Sequence, residues 1–134
     1  MPTDTSKKTK PRLTSDAYNN NLKDFKKHTA EHDYDYKNDH KDLQGALYHA
    51  SVGGYLEIAT LAIKAGAKAD TVDEESYPLQ SATLEGHLDI VKLLVGNGAD
   101  VNYQDKRNKM TPLHWAVHEK NIEMCDYFLI IYCL

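Results

Sequence analysis

The sequence predicts an all-α domain of stacked helix–turn–helix repeats with short hairpin-like loops and a polar, helical extension on its N-terminal side. Three observations predict it. Leu47, Leu79 and Leu113 recur at intervals of 32 and 34 residues, and Ala50, Ala82 and Ala116 recur in step with them, a period averaging 33. Within a period, apolar residues fall at helical spacing, as Leu113, Ala116 and Val117 do at i, i+3 and i+4. Gly86 and Gly98 stand where such helices must stop, because a left-handed residue closes a helix at least cost as glycine.

Taken in order, residues 1–14 read as a disordered leader with a weak basic cluster at Lys7, Lys8, Lys10 and Arg12. Residues 15–38 form a polar segment. A helix is expected there from Ser15 or Asp16 to about His28, since Tyr18, Leu22 and Phe25 share a face. The run Asn19-Asn20-Asn21 weighs against that helix, which is placed to cover the first repeat, and Asp33 to Lys41 reads as a connector. The repeat domain is expected at residues 39–134, with units near 41–70, 73–102 and 105–134. In the second unit Leu88, Val91, Leu94 and Val95 mark the expected buried side of the outer helix. In the third, Thr111 suits an N-cap and Pro112 the first helical turn. Ala50, Ala82 and Ala116 are small enough to let neighbouring helices approach closely.

The segment from Gly86 to Asn102, GHLDIVKLLVGNGADVN, resembles the second half of an ankyrin repeat almost letter for letter. Thr111-Pro112-Leu113-His114 is similar to the signature that opens the next repeat. The resemblance implies a non-enzymatic protein-interaction module with no cofactor and no metal. It also implies that His114 braces its loop by bonding backbone groups and that His87 links adjacent units. By position, it implies a palm formed by Val52, Gly53, Leu84, Glu85, His118 and Glu119. Its finger loops carry Glu74, Glu75, Ser76 and Tyr77 in one tip, and Lys106, Arg107, Asn108, Lys109 and Met110 in the other. Tyr77, Leu84 and Met110 are expected to be exposed there as interface anchors. An acidic and a basic tip are expected to orient a partner, with association slowing as salt rises.

Departures from the pattern carry their own expectations. Gly45-Ala46 replaces Thr-Pro in the first unit, which suits an N-terminal cap. Lys120 stands where the other units have Gly54 and Gly86; a left-handed backbone there costs about 1–2 kcal/mol, unless Asn121 takes the strain. The run Tyr127-Phe128-Leu129-Ile130-Ile131-Tyr132-Cys133-Leu134 carries no polar capping repeat after it. Three explanations stand: a shortened gene product, a covered dimer or partner interface through which the chain self-associates, or local disorder.

Composition excludes several classes. A length of 134 residues fits one domain with a real core, at 41% apolar and 27% charged residues. Residues 1–41 hold nine Lys/Arg and seven Asp/Glu, whereas residues 42–134 hold seven against thirteen. An acidic body offers nucleic-acid phosphates no clustered positive face. The apolar runs are too short for a membrane span, and an apolar signal core is lacking, so a cytoplasmic and/or nuclear chain is expected. Cys125 and Cys133 read as packed free thiols of a reducing compartment.

One pattern imitates catalysis. His28-Thr29-Ala30-Glu31-His32 matches an inverted zinc-protease signature, with His28 and His32 as metal ligands and Glu31 as base. That chemistry also needs a third ligand and a walled cleft, which the surrounding polar sequence does not supply. The expectation is a solvated helix end.

Overall fold

The computed structural model describes residues 12–30, 40–70 and 77–133. Among them are eight helices and no strand, arranged as four consecutive pairs. The pairs are α1 (Arg12–Tyr18) with α2 (Leu22–Ala30), α3 (His40–Gly53) with α4 (Leu56–Lys64), α5 (Pro78–Leu84) with α6 (Leu88–Gly96), and α7 (Pro112–His118) with α8 (Ile122–Cys133). The first helices form one layer, α1 on α3, α3 on α5 and α5 on α7; the second helices form another, α2 on α4 and α4 on α6.

One hydrogen bond repeats in every pair and fixes the register. The N–H groups of Asn21, Tyr55, His87 and Asn121 donate to the carbonyls of Asp16, Ala50, Ala82 and Ala116 at 2.7, 2.9, 2.9 and 3.0 Å. This bond across a left-handed residue closes a helix and satisfies a carbonyl that the helix leaves unpaired. The left-handed residues are Asn20 (φ 52°), Gly54 (78°), Gly86 (79°) and Lys120 (57°). Lys120 therefore adopts the strained backbone that its place in the period foretold.

The same register makes α1–α2 a helix pair equivalent to the rest. The single helix expected from Ser15 or Asp16 to His28 is broken at Asn20, and α1 begins at Arg12, inside the stretch read as a leader. Residues 1–11 and 31–39 lie outside the described residues. With α1–α2 stacked on α3–α4, the unit at 41–70 is internal and does not cap the stack. Gly45 is explained by that neighbour: a Cβ on it would come within 2.5 Å of the Thr14 hydroxyl, so α1 and α3 pack this closely only over glycine. Asp42 reaches back across the same seam. Its carboxylate accepts the N–H groups of Leu13 (3.0 Å) and Thr14 (2.8 Å), and its carbonyl accepts the Thr14 hydroxyl at 2.9 Å. The N-terminus of α1 is capped from another unit.

The core runs the length of the stack as a single seam. Leu13, Leu47 and Leu79 in the first helices, and Phe25, Ile58, Ile90, Val91, Leu94, Met124 and Phe128 in the second, are at most 1% exposed. In α6 the buried face is Ile90, Val91 and Leu94, while Leu88 and Val95 flank it half-buried, a shift from the expected side. Buried hydroxyls do not break the seam. Ser51 and Thr83 donate to the carbonyls of Leu47 and Leu79, each at 2.7 Å.

Candidate partner-binding surface

The loop before α7 is built to hold a basic tip. Asp105 is 9% exposed. Its carboxylate accepts the Trp115 indole N–H at 3.0 Å and the Asn108 N–H. Its own N–H donates to the Met110 carbonyl at 3.0 Å, and its carbonyl accepts the Lys109 N–H at 2.9 Å with Lys109 left-handed at φ 58°. These bonds close the loop on itself and leave Lys106, Arg107, Asn108 and Lys109 in solvent, with Met110 half-buried. Thr111 then caps α7: its hydroxyl accepts the His114 N–H at 3.3 Å, and its N–H donates to His114 Nδ1 at 2.9 Å. His114 braces the loop as the resemblance implied. His87 Nε2 lies 3.0 Å from the Val52 carbonyl, a link between the second and third helix pairs.

Tyr77 requires a correction. It is 5% exposed, not an exposed anchor. Its hydroxyl donates to the Asp100 carbonyl at 2.7 Å, and its ring meets Tyr103 edge-on with centroids 4.7 Å apart. Burial, and then the nearby charge of Asp100, push its phenol well above the ordinary tyrosine range. The ring that position suggested for a partner is taken up by the next loop. Glu74, Glu75 and Ser76 lie outside the described residues, so the acidic tip has no geometry here.

The palm residues do share one layer. Val52 and Leu84 are half-buried, while Gly53, Glu85, His118 and Glu119 are exposed, His118 Nδ1 standing 3.1 Å from the Glu119 carboxylate. Extending their register back by one period reaches Tyr18, which is 68% exposed. The row Tyr18, Val52, Leu84 and His118 thus crosses all four first helices. Aromatic and imidazole rings flank it: Tyr18 and Tyr48 both meet His49 edge-on, at 5.3 and 5.2 Å, and Trp115 meets His118 at 5.7 Å. Burial lowers the His49 pKa from its ordinary value. The sequence reading did not place Tyr18, Tyr48, His49 or Trp115 on this surface. For Tyr18 the available signal was the step of 34 residues from Leu13 to Leu47, the same as from Leu79 to Leu113.

The catalytic-looking motif is split by what its first member touches. His28 Nδ1 lies 2.6 Å from the Asp16 carboxylate, both largely buried, a contact internal to the first helix pair. Glu31 and His32 lie outside the described residues. Among the described residues, no group of three His, Cys, Asp or Glu side chains could hold a metal ion. Cys125 is half-buried against the core, as the packing reading required.

The family model described as Ankyrin repeats (3 copies) matches residues 13–105 and 47–133, beginning at the first residue of the Leu13 register. The chain belongs to the ankyrin-repeat family. It is 33% identical over 87 residues to Ankyrin repeat and KH domain-containing protein mask-1 of Caenorhabditis elegans, a match covering 65% of this chain and 3% of that protein. It is 44% identical over 63 residues to Ankyrin repeat and KH domain-containing protein mask of Drosophila melanogaster, covering 46% and 2% respectively. With NF-kappa-B inhibitor cactus of Drosophila melanogaster it shares 39% over 44 residues, 33% of this chain and 9% of that one. The chain thus spans a small fraction of the length of these relatives. Ankyrin-repeat stacks are in general non-enzymatic modules that bind proteins, and among the described residues no helix is long and apolar enough to cross a membrane.

Proposed function

We propose that this chain is a non-enzymatic binding module that grips a protein partner along the first-helix layer, the concave side of an ankyrin-type stack, and at the basic loop tip. The observation that carries this reading is the pairing of two features the fold does not need. The first is the row from Tyr18 to His118, whose end members are exposed rings. The second is the solvent-facing trio Lys106, Arg107 and Lys109 on a loop held rigid by Asp105. Rigid aromatic anchors bury area at little entropic cost, and a preorganised charged tip steers encounter. The partner is a protein carrying an acidic patch beside an apolar stripe. Nucleic acid, a membrane, a cofactor and a metal play no part, and the chain works in the cytoplasm and/or nucleus. That one relative is named an inhibitor of NF-kappa-B supports a role exerted by binding.

Quantitative affinity capture tests this with three baits against wild type: Tyr18→Ala/His118→Ala, Lys106→Glu/Arg107→Glu, and Lys64→Glu on the opposite layer as control. A specific partner should be lost with the first two and kept with the third. Partners indifferent to both surface variants would sink the proposal.

A further inference from the structure

The turn that ends α6 holds a reactive pair of residues. Asn97-Gly98 is the chain's only asparagine followed by glycine. With no side chain on the following residue, the Gly98 backbone nitrogen can approach the Asn97 amide carbon without crowding. Both residues are exposed, and a Cβ built on Gly98 would meet nothing within 4 Å. Water and hydroxide reach the pair freely.

The turn does not need an asparagine. Ala65-Gly66-Ala67 closes α4 in the same way, with the N–H groups of Gly66 and Ala67 donating to the carbonyls of Ile63 and Ala62 at 3.0 and 2.9 Å. In α6, Gly98 and Ala99 donate to Val95 and Leu94 at 3.1 and 3.0 Å. Asn97 adds one bond that Ala65 lacks: its side-chain amide donates to the Leu93 carbonyl at 2.8 Å.

We propose that Asn97 is a site of spontaneous deamidation, gated by opening of the turn that ends α6. The Gly98 nitrogen gives its proton to hydroxide and attacks Asn97 Cγ. The new N–Cγ bond replaces the Cγ–Nδ2 bond, and Nδ2 takes a proton from water and leaves as ammonia. Water then opens the resulting succinimide at either carbonyl, giving aspartate or isoaspartate. The closed turn opposes each stage. The N–H that must be lost is bonded to Val95, and the amide that must leave is bonded to Leu93. Asn97 also sits at ψ 17°, which turns the Gly98 nitrogen toward Asn97's own backbone nitrogen and away from its side chain.

The product does not suit the turn it comes from. A carboxylate at position 97 cannot donate to the Leu93 carbonyl, and it sets negative charge against the C-terminal end of α6. Isoaspartate also lengthens the main chain by a methylene just before Asp100 and Val101. The carbonyls of those residues accept the hydroxyls of Tyr77 and Tyr132 at 2.7 and 2.9 Å, which tie this loop to the start of α5 and to α8. Conversion of Asn97 therefore loosens α8 from the pair before it.

The full chain is incubated at one neutral pH, folded in buffer and unfolded in guanidinium chloride. Peptide mapping by mass spectrometry follows each asparagine, and isoaspartyl methyltransferase labelling detects the isomer. In the unfolded chain Asn97 should convert before any other asparagine, to both products. In the folded chain it should convert roughly tenfold or more slowly, as for a turn open about a tenth of the time or less. Equal rates in the two arms overturn the gating, and an Asn97 that stays intact while other asparagines convert overturns the site. Asn97→Asp, the unisomerised product, should unfold at lower urea than Asn97→Ala, which restores the Ala65 arrangement. An Asn97→Asp midpoint equal to or above that of Asn97→Ala overturns the consequence drawn for the turn.

Discussion

Leu94→Ala measures the register of the stack directly. Leu94 is 0% exposed in the middle of α6, on the buried face it shares with Ile90 and Val91. Truncation removes three carbons, about 2.4 kcal/mol of transfer free energy at about 0.8 kcal/mol per methylene. The helices on either side are locked by their own turns, so the space is only partly refilled, and the cavity raises the expected loss to about 3–4 kcal/mol. Leu88, read from sequence as equally buried, is half-buried at the start of the same helix. Its truncation should cost about 1–2 kcal/mol, the portion of its surface that folding removes from water. Urea unfolding followed by far-ultraviolet circular dichroism separates them. With a slope of about 1–3 kcal/mol per molar urea, Leu94→Ala should lower the midpoint by roughly 1–4 M and Leu88→Ala by roughly a quarter to two thirds as much. Equal shifts for the two variants, or a Leu94→Ala midpoint indistinguishable from wild type, would refute the placement of the seam.

Three further perturbations probe the turns, the cross-unit cap and the buried phenol. Lys120→Gly should stabilise: relief of about 1–2 kcal/mol of left-handed strain outweighs about 0.5–1 kcal/mol of added unfolded-state freedom, and differential scanning calorimetry should show the melting temperature rise by a few degrees. Asp42→Ala removes both carboxylate bonds to the start of α1 and should cost about 1–2 kcal/mol. Hydrogen exchange should then quicken at Leu13 and Thr14 before it quickens in α5–α8. Tyr77 holds its proton more tightly folded than unfolded, so its stabilising contribution is full below the ordinary tyrosine pKa of about 10 and is lost as pH rises beyond it. Urea melts at increasing pH should show stability falling above that point, and Tyr77→Phe should lessen the fall.

The units from α3 onward were legible because their signals are local. Glycine at a left-handed turn, proline in a first turn and histidine bonding its own N-cap each act within a few residues. The first helix pair was hidden because its chemistry is not local. Its left-handed residue is Asn20, its N-terminal cap is Asp42 from another helix, and Asp16 and His28 stand where the period expects small or apolar side chains. The surface divides the same way. The basic tip was readable as a run of charges, but the burial of Tyr77 depends on Tyr103 and Asp100 from the following loop. Tyr18 reads in the sequence as sharing a helix face with Leu22 and Phe25, and only the break at Asn20 separates it from buried Phe25 and puts it in the palm row.

The left-handed residues also show how tightly each pair is locked to the next. At Gly54 glycine is required twice, once for φ 78° and once because the His87 ring passes within 2.6 Å of where a Cβ would stand, on its way to the Val52 carbonyl. At Gly86 the nearest group is the Asn121 amide at 3.4 Å, an ordinary contact, so only the backbone demands glycine there. At Lys120 even that demand is overridden, at the cost of strain alone. The order Gly54, Gly86, Lys120 therefore runs from a turn clamped by its neighbour to one that accepts a Cβ. In a stack where each unit is stabilised chiefly by its neighbours, α7–α8, which exposes Val117 and Leu129, should open before the α3–α4 and α5–α6 pairs that are packed on both sides.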